Sequence, residues 1–439
     1  MVQHAYNLFT TAISSVHPSK LIKEYIVIKK SELIIDNHKR KIKSSTKVVI
    51  LAIGKAAAAM ALQAEEVLGD AINDGICVTK YHHSLPLRII KTVEAGHPVP
   101  DKNSEAAANM ILQMVTDLGS DDVIIVLLSG GASSLIADIP AGLTLSNIQE
   151  INELLIKSDA PIHDINTVRK HSGTLKGGQL VKAAYPATVY SLVISDVPGD
   201  DLQTIGSGLT APDTSTFEDA LNIINKYDKE NKVSLNVIDR LRQGIKNQIS
   251  ETPKPGDPVF DKTFNKIIGN ISTALIAAKV AAEQSGFHVI ECNASLSGNT
   301  ISKAKEFAKL LLAFNGPQPA CFLWGGETTL NVTGEGMGGR NQHFALGVLN
   351  EMKEHWNRNE SFSVLCGGTD GTDGPTDAAG AIIDSHMLTD AQLTKDLIEK
   401  HLADFNSYDF FKEQGRLLFT GPTQTNVMDI VIGLVDKID

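Results

Sequence analysis

The densest chemistry in the chain lies between Leu323 and Gln342, LWGGETTLNVTGEGMGGRNQ. A β-type run, Cys321 to Trp324, enters a Gly-Gly-Glu-Thr-Thr turn that carries Glu327, and a second β-rich run is expected from Thr329 to Thr333. A glycine cluster with Gly338 and Gly339 follows, and Arg340-Asn341-Gln342 opens the helical pattern HFALGVLNEM. Glycines let backbone N–H groups approach an anion, and a helix start offers unpaired donors at a positive dipole end. A guanidinium there adds a planar fork matched to phosphate or carboxylate. The combination predicts an anion site. Gly334, Gly336 and Gly339 also satisfy the G-x-G-x-x-G spacing of a dinucleotide fingerprint. The next β-run, Phe362 to Cys366, ends in Gly367-Gly368, however, where that fingerprint needs an acidic residue.

Other loops carry complementary groups. Lys55 stands beside Gly54 and a run of alanines, where an ammonium is unfavourable unless it meets an anion; the loop is not a Walker A sequence. Ser129-Gly130-Gly131-Ala132-Ser133-Ser134 offers N–H groups and hydroxyls suited to a phosphate or a carboxylate, and it is not the G-x-S-x-G of a serine hydrolase. Arg169, Lys170 and His171 form a basic cluster. Asp196, Asp200 and Asp201 follow an apolar run and suit Mg²⁺ or a general base for a hydroxyl. Asp370 and Asp373 lie in a second acidic, glycine-rich turn that lacks EF-hand spacing, and Thr423 and Asn426 lie in a final turn, GPTQTN. No histidine spacing suits zinc. Cationic groups, glycine cradles and acidic loops in one chain describe phosphoryl transfer, which works chiefly by positioning and charge neutralisation.

These loops need a scaffold that presents them together. Val48 to Ile53, Val123 to Leu128 and Thr188 to Ile194 are unbroken apolar runs alternating with helical patterns, which predicts a parallel sheet covered on both faces. Open α/β sheets bind ligands outside the carboxyl ends of their strands, and the loops above fall there. Residues 1–45 read as helical with a basic end. Ser250 to Pro258, with three prolines, reads as a linker, after which a second α/β series runs from Lys266 through His288, Cys321 and Phe362 to Arg416. The expected division is therefore 1–250 and 260–439. The 439 residues allow two or three domains, and the formal charge of −11 argues against nucleic-acid or anionic-membrane partners. The sequence has neither a transmembrane run nor a signal peptide, and Cys77, Cys292, Cys321 and Cys366 read as reduced core residues, so a cytoplasmic enzyme is expected.

Taken in order, AIGKAA, AGHPVPD, LLSGGASSL, INTVRKH with KGG, SDVPGDDL, GGETT, GMGGRNQ, GGTDGTDGPTDAAGA and GPTQTN resemble the glycerate 2-kinase family of the MOFRL type over nearly the whole chain. The resemblance implies two α/β domains, the first Rossmann-like, with the site in the cleft. It implies ATP-dependent phosphorylation of the 2-hydroxyl of D-glycerate to 2-phosphoglycerate with a divalent cation such as Mg²⁺. The family's catalytic lysine and arginine would fall on Lys55 and Arg340. Asp196 would accept the hydroxyl proton or help to hold Mg²⁺, with Asp200 as a second metal candidate. The Ser129 to Ser134 turn would hold an anionic part of substrate or nucleotide, and the glycine loops of the second domain would serve either side. A homodimer is compatible with the resemblance and is not specified by it. The chain departs from the family pattern at Pro198, Leu209, His343, Gln424 and Met428.

Two other readings compete. An NAD(P)-dependent hydroxypyruvate reductase would need a dinucleotide fingerprint in its first β-turn-α unit, where this chain has AIGKAA. A non-enzymatic regulatory protein that binds a sugar acid would bind without turning over ATP.

Overall fold

A computed structural model describes residues 1–356 and 358–437. The chain divides into two compact units, Pro18–Ile268 and Met1–His17 with Gly269–Asp439. This division differs from the expected boundaries, for reasons visible in the packing of each unit.

In the Pro18–Ile268 unit, six strands form one sheet in the order Lys91–Ala95, Asp74–Lys80, Val48–Ile53, Val123–Leu128, Thr188–Ile194, Thr263–Gly269. The first five pair in parallel. Every residue of Val48–Ile53, Val123–Leu128 and Thr188–Ile194 is buried, which is why their sequences are continuous apolar runs rather than alternations. Full burial of each such aliphatic side chain contributes about 1.5–3 kcal/mol. Register matters more for function: Ile53 pairs with Leu128, and Leu128 with Val193. The loops that begin at Gly54, Ser129 and Ser195 therefore leave the sheet side by side.

Three sequence expectations are corrected here. The segment expected to be helical up to residue 45 is helical only to Tyr25; Ile26–Lys29, Glu32–Ile35 and His38–Lys41 then form an antiparallel three-stranded sheet. The signal was present in IVIK and ELII, short β-branched runs separated by turns at Lys30 and Asp36 with φ of 54° and 51°. The proline-rich Ser250 to Pro258 is not a free linker. Thr252 is buried and donates to Asp213 Oδ2 at 2.9 Å, and Glu251 pairs with His171 at 2.9 Å. The expected first strand of the second series instead closes the first sheet as Thr263–Gly269.

The other unit carries a mixed sheet in the order His288–Asn299, Ala320–Thr329, Asp429–Lys437, Glu360–Gly368, Gly380–Asp384, Leu417–Leu418. Only its first pair is parallel. Asp429–Lys437 is flanked on both sides, with all but its last two residues buried. The β-run expected from Thr329 to Thr333 ends at Thr329, and residues 330–339 are irregular before the helix Arg340–His355 begins. The helix Val2–Ser15 packs on Ile271–Gln284 and Glu360–Gly368, and Val16 O accepts from Thr425 Oγ1 at 2.8 Å, so the first seventeen residues belong with this unit. Cys77, Cys321 and Cys366 are buried as expected; Cys292 is exposed on an edge strand, against expectation.

Candidate active site

In the Pro18–Ile268 unit, adjacent strand ends are sewn together before any side chain is considered. Ser129 N–H donates to Ile53 O at 3.0 Å and Lys55 N–H to Gly130 O at 2.8 Å. Ala56 N–H donates to Ser129 Oγ at 3.0 Å, which commits the buried Ser129 hydroxyl to the start of the helix Ala57–Leu68. Gly54 has φ +134°, and a Cβ there would overlap Ser129, so this crossing needs glycine.

Side chains then converge on the glycine turn. A Cβ at Gly131 would lie 3.4 Å from Lys55 Cγ and 2.9 Å from the His97 ring, and one at Gly130 would fall on the Asp196 carboxylate. Lys55, His97 and Asp196 thus crowd the largely buried backbone of one turn. An ammonium, N–H groups and a carboxylate in that arrangement can hold an anion beside a group able to take a proton. Ser133 Oγ shares a hydrogen bond with Ser207 Oγ at 2.8 Å, and Ser134 Oγ donates to Gly131 O at 3.1 Å, so this hydroxyl shapes its own turn. Asp200 has φ 56° on the loop after Asp196, and Asp201 accepts from Gln203 N–H and Thr204 Oγ1. His97 was missed as a site residue, although it lies within the AGHPVPD stretch.

The basic cluster separates by role. Lys170 is buried and pairs with Asp213 Oδ1 at 3.0 Å, and buried His171 bonds Thr167 O and Glu251. Burial works against ionised Asp213 and Glu251, but their partners outweigh it. Lys170, Ser215 and His171 lower Asp213, while His171 with the amides of Thr252 and Phe217 lowers Glu251 to about 2. Arg169 alone of the three is only partly buried as a residue, with Nε donating to Asn152 Oδ1 at 2.7 Å.

In the other unit, Arg340 begins its helix gripped by carboxylates. Its Nε and Nη2 donate to Asp429 Oδ2 and Oδ1 at 2.5 and 3.0 Å, and Nη1 donates to Glu327. Burial pulls the guanidinium pKa down, but Asp429 and then Glu327 outweigh it and hold the group above its ordinary value. Asp429 was missed in the sequence because it reads as the first residue of a strand. Asp373 lies buried across the helix start, accepting from Asn341 N–H at 3.0 Å, Asn341 Nδ2 at 3.2 Å and Gln342 N–H at 2.8 Å. Burial pushes its carboxyl up to about 7, against the pull of those N–H donors. The expected anion site at this helix start is therefore filled by the chain's own carboxylate.

The same arrangement disposes of the dinucleotide fingerprint. Gly339 packs against Asp373, Gly334 and Gly336 pack on Asp404, and Gly336 N–H donates to Asp404 O at 2.9 Å. A pyrophosphate would need those donors. Gly338 packs against Ser407, and Asp370 Oδ1 accepts from Thr372 N–H and Oγ1. Thr423 Oγ1 donates to Thr369 O at 2.5 Å, and Asn426 Oδ1 accepts from Met428 N–H at 3.3 Å. These last residues order their loops. Among the described residues, no group of three or more His, Cys, Asp or Glu is arranged to hold a metal ion, and no helix is long and apolar enough to cross a membrane.

The parallel sheet that presents a lysine, a glycine turn and a carboxylate suits a phosphotransferase, and that is the class of the chain's relatives. Within that class, the chain belongs to the glycerate 2-kinase family of the MOFRL type. Residues 4–242 match a domain of unknown function (DUF4147), and residues 320–429 match the MOFRL family. A D-glycerate 2-kinase of Thermotoga maritima is 38% identical, the match covering 98% of this chain and 97% of that protein. A protein of Agrobacterium vitis that carries a hydroxypyruvate reductase label is also 38% identical, over 87% of this chain and 86% of its own. The crystal structure of a glycerate kinase from Thermotoga maritima superposes with a TM-score of 0.84 at 36% identity, covering 99% of each chain.

Proposed function

We propose that this chain transfers the terminal phosphoryl group of ATP to the 2-hydroxyl of D-glycerate, giving 2-phosphoglycerate and ADP. The observation that carries the reading is the convergence of Lys55, His97 and Asp196 on the Gly130–Gly131 turn at the ends of neighbouring parallel strands. Lys55 neutralises charge on the moving phosphoryl group, and the N–H groups of the turn hold its oxygens. Asp196 takes the proton of the attacking hydroxyl or, with Asp200, would hold Mg²⁺. One or two carboxylates plus substrate phosphates are what that ion requires, so the donor set fits, and bound Mg²⁺ would supply charge neutralisation on the phosphates. Arg340, whose fork is fixed by Asp429 and Glu327, retains outer N–H groups and is the second neutralising cation. Glu327, Gly338, Gly339, Asn341, Asp370, Asp373, Thr423 and Asn426 act by holding the loops around it.

Glycerate and ATP are small-molecule partners of a cytoplasmic enzyme, a reading supported by free thiols at all four cysteines. The hydroxypyruvate reductase label of some relatives finds no support in the glycine loop, whose helix start is already occupied by Asp373. The test is ADP release with Mg-ATP and D-glycerate, run beside Lys55→Ala and Arg340→Ala and beside NADH with hydroxypyruvate. Turnover by the parent and losses of about a hundredfold or more in each variant support the reading. NADH oxidation without ADP release replaces it with the reductase.

A further inference from the structure

Next to the glycine turn, the Pro18–Ile268 unit contains a small cavity lined by Ser133, Asp138, Asn152, Arg169, Ser172 and Lys176. Its volume, ≈ 20 Å³, has room for one or two water-sized groups and none for a base or a ribose. The charges on its wall do not cancel. Lys176 Nζ pairs with Asp138, whose Oδ2 also accepts the amides of Thr174, Leu175 and Lys176, so that carboxylate is fully engaged. Arg169 has no carboxylate partner among the described residues; only its Nε has an acceptor, the Asn152 side chain. Burial therefore lowers its guanidinium pKa to about 10, the opposite of what happens at Arg340.

A second observation is independent of charge. Ser172 is 2% exposed, and its Oγ has no hydrogen-bond partner among the described residues. A mostly buried cation without a carboxylate partner among the described residues and an orphan hydroxyl on one cavity wall are both unfavourable until a ligand completes them.

Resting on the kinase reading above, we infer that this cavity receives the carboxylate of the hydroxy-acid substrate, with the two free Nη groups of Arg169 as a planar fork and the Ser172 hydroxyl as a further donor. A carboxylate has the two oxygens, the plane and the single charge that this wall lacks. Location fits as well. Ser133, on the cavity wall, is two residues from Gly131, over which Lys55 and His97 meet. So short a separation suits an acid whose reacting hydroxyl is on the carbon next to its carboxylate.

The experiment is calorimetric titration of the full chain with D-glycerate without nucleotide, and separately with ADP and Mg²⁺. The variants are Arg169→Ala, Arg169→Lys and Ser172→Ala. Ser172→Ala breaks no side-chain hydrogen bond and so leaves the fold intact. Expected are a loss of about a hundredfold in glycerate affinity for Arg169→Ala, tenfold or more for Arg169→Lys because a point charge cannot replace the fork, and severalfold for Ser172→Ala, with ADP affinity unchanged. In turnover, KM for glycerate should rise while KM for ATP stays. Unaltered glycerate affinity in Arg169→Lys and Ser172→Ala overturns the inference even if the parent is a kinase. Weakened ADP binding with intact glycerate binding also overturns it, assigning the cavity to a phosphate. Arg169-dependent glycerate binding in a chain that never releases ADP keeps the cavity and removes the kinase.

Discussion

Asp429→Asn tests how Arg340 is held. The substitution keeps shape and one acceptor but removes the charge and turns an NH₂ group toward Nε or Nη2, both of which are donors. The wild-type pair is a two-bond fork at 2.5 and 3.0 Å between a carboxylate side chain only 3% exposed and an arginine side chain 33% exposed. Breaking a fully buried pair destabilises by about 3–5 kcal/mol. Here Glu327 still faces Nη1 and part of the guanidinium reaches water, so about 2–3 kcal/mol is expected. Urea unfolding should show that loss. ADP release at saturating substrates should fall by about a hundredfold, since a guanidinium displaced by about 1 Å can lower turnover that much. Glu327→Gln, at a more exposed partner, should change stability little, by about 0–1 kcal/mol. Asp429 acts through Arg340, so Asp429→Asn should add little in an Arg340→Ala background. An Asp429→Asn chain with parental stability and turnover would refute the claim that this carboxylate positions the arginine.

Three further outcomes follow from the same geometry. Gly130→Ala should lower turnover by about a hundredfold or more, because its Cβ would displace the Asp196 carboxylate, while stability falls by about 1–3 kcal/mol; unchanged kcat would separate Asp196 from the chemistry. Gln424 has φ 59° and a buried Oε1 with no partner among the described residues, so Gln424→Gly should stabilise by about 0.5–1 kcal/mol, read as a melting temperature about 1–3 °C higher. His343 is buried and stacked on Phe405 with ring centroids 5.1 Å apart, and burial lowers its pKa to about 4. The unfolded chain then binds the extra proton between pH 6.5 and about 4, so stability is full above that window and falls as pH drops through it. By pH 5 this group should account for about 2 kcal/mol, a slope that His343→Gln should remove in urea unfolding measured from pH 7.5 to 5.

Much of the first sheet was legible in the sequence because its strands are buried on both faces and leave unbroken runs such as VIIVLL, each ending in a small-residue turn. The second sheet was harder. Its central strand, Asp429–Lys437, lies far in sequence from both neighbours, and its antiparallel pairings arise from tertiary contacts that no local pattern records. The site divides similarly. Lys55, the glycine turn and Asp196 sit at strand ends, where the pattern of runs and turns already marks them. A basic run such as Arg169-Lys170-His171 does not reveal which side chain turns inward; Asp213, forty-three residues after Lys170, decides that. Nor does a glycine-rich helix start reveal that Asp373, from a loop thirty-two residues beyond Asn341, has taken its N–H groups.

The proposed reaction is a phosphoryl transfer to one particular hydroxyl. Its most direct test is the product formed from D-glycerate and Mg-ATP, examined by phosphorus NMR and by addition of enolase alone. A 2-phosphoglycerate resonance that enolase consumes at once is the expected result. A 3-phosphoglycerate resonance untouched by enolase, or no phosphorylated acid at all, would contradict it.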